Sequence, residues 1–225
     1  MTASINLLFR SQQVIHGYTQ NFGYLNQRLY IGLCCIGNPF GDYGNGDSGE
    51  YDFGMGDGSE TEQQSGLDQI PEYSGSPYVE INRNVPSFSD KKSAGPAYEF
   101  YSELDSLGRC GYAESKVTPE LMPDEERGAI GMVKPTGWHT VKYENVDGRY
   151  LYNRCHLIGY QLTGENANRK NLITGTRYLN VTGMLPFENE VADYVHSTGN
   201  PCMYRVTPFF KGDELVARGV EMRSE

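Results

Sequence analysis

Residues 38–66 constrain this chain before anything else does. They are nearly all Gly, Asp, Ser, Glu, Asn and Gln, with a few aromatics. Such a stretch cannot bury enough apolar surface to offset the entropy of ordering, so it reads as a disordered acidic linker. It divides the 225 residues into a weakly structured lead over 1–37, the linker over 38–70 and one folded domain over 71–225. Within the lead, Ser11 to Tyr30 scatters its apolar residues among Gln, Asn and Tyr with no helical period.

The net charge of −10 is unevenly spread. Residues 1–70 hold eight acids and two bases, whereas residues 136–225 hold ten of each. A neutral domain can bind a polyanion when its bases cluster on one face. Arg154, Arg169, Lys170, Arg177 and Arg205 are the candidates, and each taken alone reads as a solvated surface charge. The five cysteines, Cys34, Cys35, Cys110, Cys155 and Cys202, form no C-x-x-C pair. They are not a zinc framework by spacing, and a disulfide from Cys110 to Cys155 or Cys202 stays open. The longest apolar run, Leu29 to Gly37, falls far short of the roughly 18 residues that span a membrane. It sits where an export-signal core would sit, but late and without a good small-residue cleavage site.

The elements read as follows. Tyr78 to Ile81 alternates like a strand, and Asn82 to Pro86 breaks it. A short helix is expected around 97–102, a strand within 108–115 and a helix start at Thr118-Pro119-Glu120. Residues 138–143 and 150–157 are β-rich and make a hairpin around Asn145 to Gly148. Residues 171–180 and 186–196 have helix-compatible spacing, separated at Leu185-Pro186. Strands follow over 202–210 and 214–220, joined at Lys211-Gly212-Asp213. The core is then strand, strand, helix, with His156 ending the second strand, and the fold class is α+β.

Hydrolysis of a phosphodiester needs a base for the attacking water, stabilisation of charge on phosphorus and help for the leaving oxygen. A neutral His can be the base. A hard divalent cation on oxygen ligands such as an Asn carbonyl can stabilise the charge. An Arg adds a bidentate donor to phosphate. His156, Asn180 and Arg154 supply that set. Arg154 and His156 are two apart and share a strand face, while Asn153 and Cys155 point away. Asn171 and Asn180, nine apart, would fall on opposite faces of one straight helix. Asn180 and Glu188, eight apart, would share a face but for Pro186. The plainer alternatives are a cap or turn residue for Asn171 and a first-turn carboxylate for Glu188. Arg127, Lys134 and Arg205 read as surface or structural residues, with phosphate contact as the alternative, and Trp138 as core.

Asn153-Arg154-Cys155-His156, Gly137-Trp138 upstream, Asn180 twenty-four residues after the His and Glu188 eight after that resemble the DNA/RNA non-specific endonucleases. These are ββα-metal, or His-Me finger, nucleases, near the streptodornases and DNA-entry nucleases. The stretches Lys170 to Asn180 and Tyr204 to Pro208 support the likeness, which covers roughly residues 72–225. The resemblance implies His156 as general base, Asn180 as protein ligand of a Mg²⁺ ion (Mn²⁺ or Ca²⁺ as substitutes) and Glu188 on a metal-bound water. It implies that Asn171 orients His156 or substrate, and that Arg154 serves phosphate or structure. DNA is the expected substrate, RNA a second candidate, and a secreted or cell-surface location follows from the family. Two departures stand out: Asn153 and Cys155 occupy positions where the family writes Asp and Gly, and relatives are expected to continue with more sheet beyond Glu225. Two other readings are a non-catalytic nucleic-acid-binding module and a nuclease toxin with an immunity partner.

Overall fold

A computed structural model describes residues 5–10 and 75–225; the linker over 38–70 and most of the lead lie outside the described residues. In chain order come β1 (Ile5–Arg10), β2 (Tyr78–Glu80), α1 (Asp90–Ser93), β3 (Tyr98–Tyr101) and β4 (Ala113–Val117). Then follow β5 (Tyr152–His156), α2 (Tyr160–Thr163), β6 (Leu172–Thr176), α3 (Leu185–Thr198), β7 (Cys202–Phe209) and β8 (Gly219–Ser224). Six strands form an antiparallel sheet in the order β2-β1-β8-β7-β4-β3, and β5 and β6 pair as a separate antiparallel ribbon.

The main sheet has two unlike faces, as alternation along β4, β7 and β8 dictates. Ala113, Val117, Cys202, Tyr204, Val206, Val220 and Met222 join the hydrophobic core. Between them stand charged residues of the other face. Glu114 and Arg205 pair there in near-complete burial, and Glu114 also accepts from Tyr98 Oη at 2.6 Å and Lys92 Nζ at 2.9 Å. Arg205, a candidate for a phosphate-binding patch, is therefore a structural residue of the sheet.

α3 covers the apolar side. Glu188, Val191, Ala192 and Val195 are its buried residues, an i, i+3, i+4, i+7 stripe. Pro186 sits in its first turn, where no N–H is required, and Gly199 closes it in the left-handed conformation. The described residues contain no helix long and apolar enough to cross a membrane.

The ββα order holds, but with different strands from those expected. Residues 138–143 form no strand; a single bridge, Lys142 to Tyr150, is all that remains of that hairpin. Trp138 lies under the Arg154 guanidinium instead, and the His139 ring is bound to Gly137 O and packed on Tyr152. The partner of β5 is residues 172–176, within the segment expected to be a helix, with His156 opposite Leu172. Every residue of β6 is buried, so it lacks the alternation that marks a half-exposed strand. His156 thus ends the first strand of the ribbon. Residues 98–101, expected as helix, are the edge strand β3, where Tyr98 and Tyr101 pair across to β4. Thr118 starts only a turn, closed by Leu121 N–H on Thr118 O at 3.0 Å. The strand expected over 214–220 begins at Gly219. Ile5–Arg10, inside the lead, is a strand paired with both β2 and β8.

Cys110, Cys155 and Cys202 are free and buried, so neither disulfide forms. The Cys110 thiol points to Arg169 O and Leu172 O, and the Cys155 thiol packs against Gly175, where an added Cβ would come within 2.7 Å.

Candidate active site

β5 delivers His156 into a recess: the residue is 6% exposed. Its Nε2 lies 2.7 Å from the Asn166 carbonyl oxygen. A carbonyl only accepts, so Nε2 carries the proton and Nδ1 holds the lone pair. The Arg127 guanidinium donates toward Nδ1 at 3.3 Å. Burial pulls the His156 pKa below its ordinary value, the Asn166 bond opposes this, and the Arg127 charge lowers it further. The ring is neutral at pH 7 with its free nitrogen on the Arg127 side.

Asn171 fixes the chain just after the histidine. Its Oδ1 accepts from Ile158 N–H at 2.8 Å and its Nδ2 donates to Ile158 O at 3.0 Å, both fully buried. Its own carbonyl accepts from Leu157 N–H at 2.9 Å. With its amide occupied this way, Asn171 braces the chain just beyond His156. It precedes β6, whereas Asn180 lies in a π-helical turn, Leu179–Met184, that runs into α3. The expected opposition on one helix therefore does not arise. Irregular turns of this kind often mark functional sites.

Glu188 lies on the first turn of α3, 9% exposed, and no described residue hydrogen-bonds its carboxylate. Burial pushes its pKa up to about 8, and the Arg127 charge partly opposes this. Gly159, at the start of α2, lies against this carboxylate: a Cβ there would come within 2.7 Å of Glu188 Oε2 and the side chain would have to shift. Arg127 thus stands near both His156 and Glu188. It is an exposed loop residue with no local signal in the sequence, and spatial proximity alone reveals it.

A cavity of about 640 Å³ opens beside these groups, lined by Arg127, Trp138, Tyr150, Tyr152, Asn153, Arg154, Arg177 and Asn180 among others. Arg154 does share the cavity side, but its guanidinium is held by Val133 O and Gly131 O and lies 3.8 Å over the Trp138 ring. Asn153, expected to face away, lines the cavity too. Arg177 Nε is paired with Asp147 at 2.6 Å. Among the described residues no three His, Cys, Asp or Glu side chains gather as a metal cage. The donors on offer are oxygens: the Asn180 amide and the unpartnered Glu188 carboxylate.

Residues 88–225 match the family model of the DNA/RNA non-specific endonucleases. Two solved structures share the fold. NucA from Streptococcus agalactiae with no metal bound has a TM-score of 0.60 at 22% identity, over 71% of this chain and 78% of that one. The same protein with magnesium bound has a TM-score of 0.59 at 22% identity, over 68% and 75%. No curated protein matches the chain.

Proposed function

We propose a mechanism for this chain, which belongs to the DNA/RNA non-specific endonuclease family and is a nucleic-acid hydrolase: His156 takes the proton of the water that attacks phosphorus. The observation that carries this reading is the ring's tautomer. Nε2–H on the Asn166 carbonyl leaves Nδ1 as the only basic nitrogen, and it faces the cavity-lining Arg127. A low pKa keeps that nitrogen unprotonated at neutral pH. Arg127 donates to Nδ1 when no substrate is present. Its planar fork suits a phosphate better than an imidazole, so substrate draws it away and frees the base. Arg154 and Asn171 hold the strand that carries His156.

Asn180 and Glu188 would hold a divalent cation. Their oxygen donors, few in number, suit Mg²⁺, which keeps several of its waters. A largely buried carboxylate that no described residue hydrogen-bonds is the group such a water would satisfy. NucA, at 22% identity, has been seen with magnesium bound. The ion would supply Lewis-acid stabilisation of charge on the phosphoryl and leaving oxygens. DNA is the substrate of this reading, with RNA open to the same chemistry, and action outside the producing cell belongs to it as well.

The test is plasmid cleavage by the purified full chain. Mg²⁺ should support nicking and degradation, EDTA should stop both, and His156→Ala should lower kcat by ~10²–10⁴-fold, the usual contribution of a general base. Activity of His156→Ala within a few-fold of wild type would refute the mechanism.

A further inference from the structure

The cavity holds more than the chemistry needs. Its outer wall is aromatic. Tyr150 stands at the mouth, 46% exposed, tied to Lys142 by the antiparallel bridge, with Lys142 Nζ 4.6 Å from its ring centroid. Tyr152 follows, half-buried, its ring 4.7 Å from that of His139. Then comes Arg154, the last of this row to line the cavity; His156, two residues further along β5 and 6% exposed, adjoins it through the cavity-lining Arg127. On β5 the side chains of 152, 154 and 156 alternate with their neighbours, and exposure falls steadily from Tyr150 toward the catalytic histidine. None of the proposed proton or phosphate chemistry uses the two tyrosines.

We propose that this row is a base subsite: the cavity takes nucleotides pulled out of the helical stack, with their bases against Tyr150 and Tyr152 and their phosphates led past Arg154 to His156. The proposal rests on the hydrolase reading above and names the form of substrate that fits it. Spacing supports it. A β-strand advances roughly 6.6 Å over two residues, about twice the roughly 3.4 Å step of one stacked DNA strand. A nucleic acid following this row at one interval per side chain is therefore stretched and unstacked. Base access supports it as well. A duplex keeps its base faces covered by their neighbours and cannot offer one to Tyr150 or Tyr152. A single strand, a loop or a frayed end can. Rings stack on any base, so the subsite confers a preference for unpaired strands without a preference for sequence.

The test separates stacking from turnover. The catalytically silenced full chain, His156→Ala, is titrated into a single-stranded oligonucleotide carrying 2-aminopurine and into the matching duplex. With abasic sites on both sides of the 2-aminopurine, so that no neighbouring base quenches it beforehand, emission should fall on binding the single strand. Adding Tyr150→Ala should weaken that response about tenfold in apparent Kd, near the usual value of one base–ring stack, while Tyr150→Phe should preserve it. Tyr150 is largely exposed, and a melting temperature equal to that of the parent confirms that the variant is folded. In the active chain with Mg²⁺, the ratio of kcat/KM for single strand over duplex should exceed one and drop about tenfold in Tyr150→Ala. A quench that ignores both Tyr150→Ala and Tyr152→Ala, or a ratio that does not move, overturns the subsite. An active chain that cleaves neither form refutes the hydrolase reading instead, and the quench, which needs no turnover, still decides the stack.

Discussion

Glu188→Gln should stabilise the metal-free protein at alkaline pH, gaining on wild type as the pH rises. The Glu188 carboxylate is buried, receives no hydrogen bond from a described residue, and has its pKa raised to about 8 by burial. In an unfolded chain a Glu titrates near ~4.3. Between those values the folded state holds a proton that the unfolded state has released. Folded stability therefore falls as pH rises from about 4 to about 8, and is level above that. At ~1.4 kcal/mol per unit the full penalty is roughly 5 kcal/mol, and relaxation with water entry reduces it to ~2–4 kcal/mol. Gln keeps the shape without the charge, but buries an amide that costs about 1–3 kcal/mol at every pH. At pH 5 the variant should equal wild type or fall slightly below it; at pH 9 it should exceed wild type by ~1–2 kcal/mol, the difference of those two terms. Urea denaturation in EDTA at pH 5, 7 and 9 reads this directly through the midpoint. A cation that binds only the folded form should then raise wild type above the variant. A wild-type-to-variant difference that is the same at all three pH values would show that Glu188 is not held neutral by burial, and the reasoning would fail.

Three further outcomes follow from the same geometry. Arg127→Gln removes a charge that depresses the His156 pKa, so the acid limb of kcat/KM should move to higher pH; an unmoved limb would detach Arg127 from the base. Asn171→Ala leaves Ile158 N–H and C=O unpaired in a fully buried place and should cost ~2–4 kcal/mol in urea denaturation, whereas a loss below ~0.5 kcal/mol would contradict the clamp. Asp147→Asn releases Arg177 from its ion pair beside the cavity; binding of DNA by the His156→Ala chain should tighten, with a salt slope steeper by about one, and weaker binding would show that the pair orders the groove.

Some of this site was readable along the chain because it rests on spacing. The intervals between His156, Asn180 and Glu188 carried the resemblance to the nuclease family, and the stripe of α3 with Pro186 at its start is a local pattern that burial only confirms. The α+β class follows from the same kind of local signal. Which strand pairs with β5 did not: β6 is buried along its whole length, so the period that separates strand from helix is missing, and only its partner decides. Asn171 drew notice through the resemblance, as a residue that orients His156 or substrate, and only the fold shows that its amide is spent on Ile158. Arg127 looked like surface because it lies in a charged, aperiodic loop, and Asn166 acts through a backbone carbonyl that no side-chain identity encodes. Sequence by itself determined the residues that can do the chemistry, since reactivity is a property of side chains. Tertiary structure alone decided the tautomer of His156, the burial that raises the Glu188 pKa and the arginine that faces the base, since each depends on what distant segments place within a few ångströms.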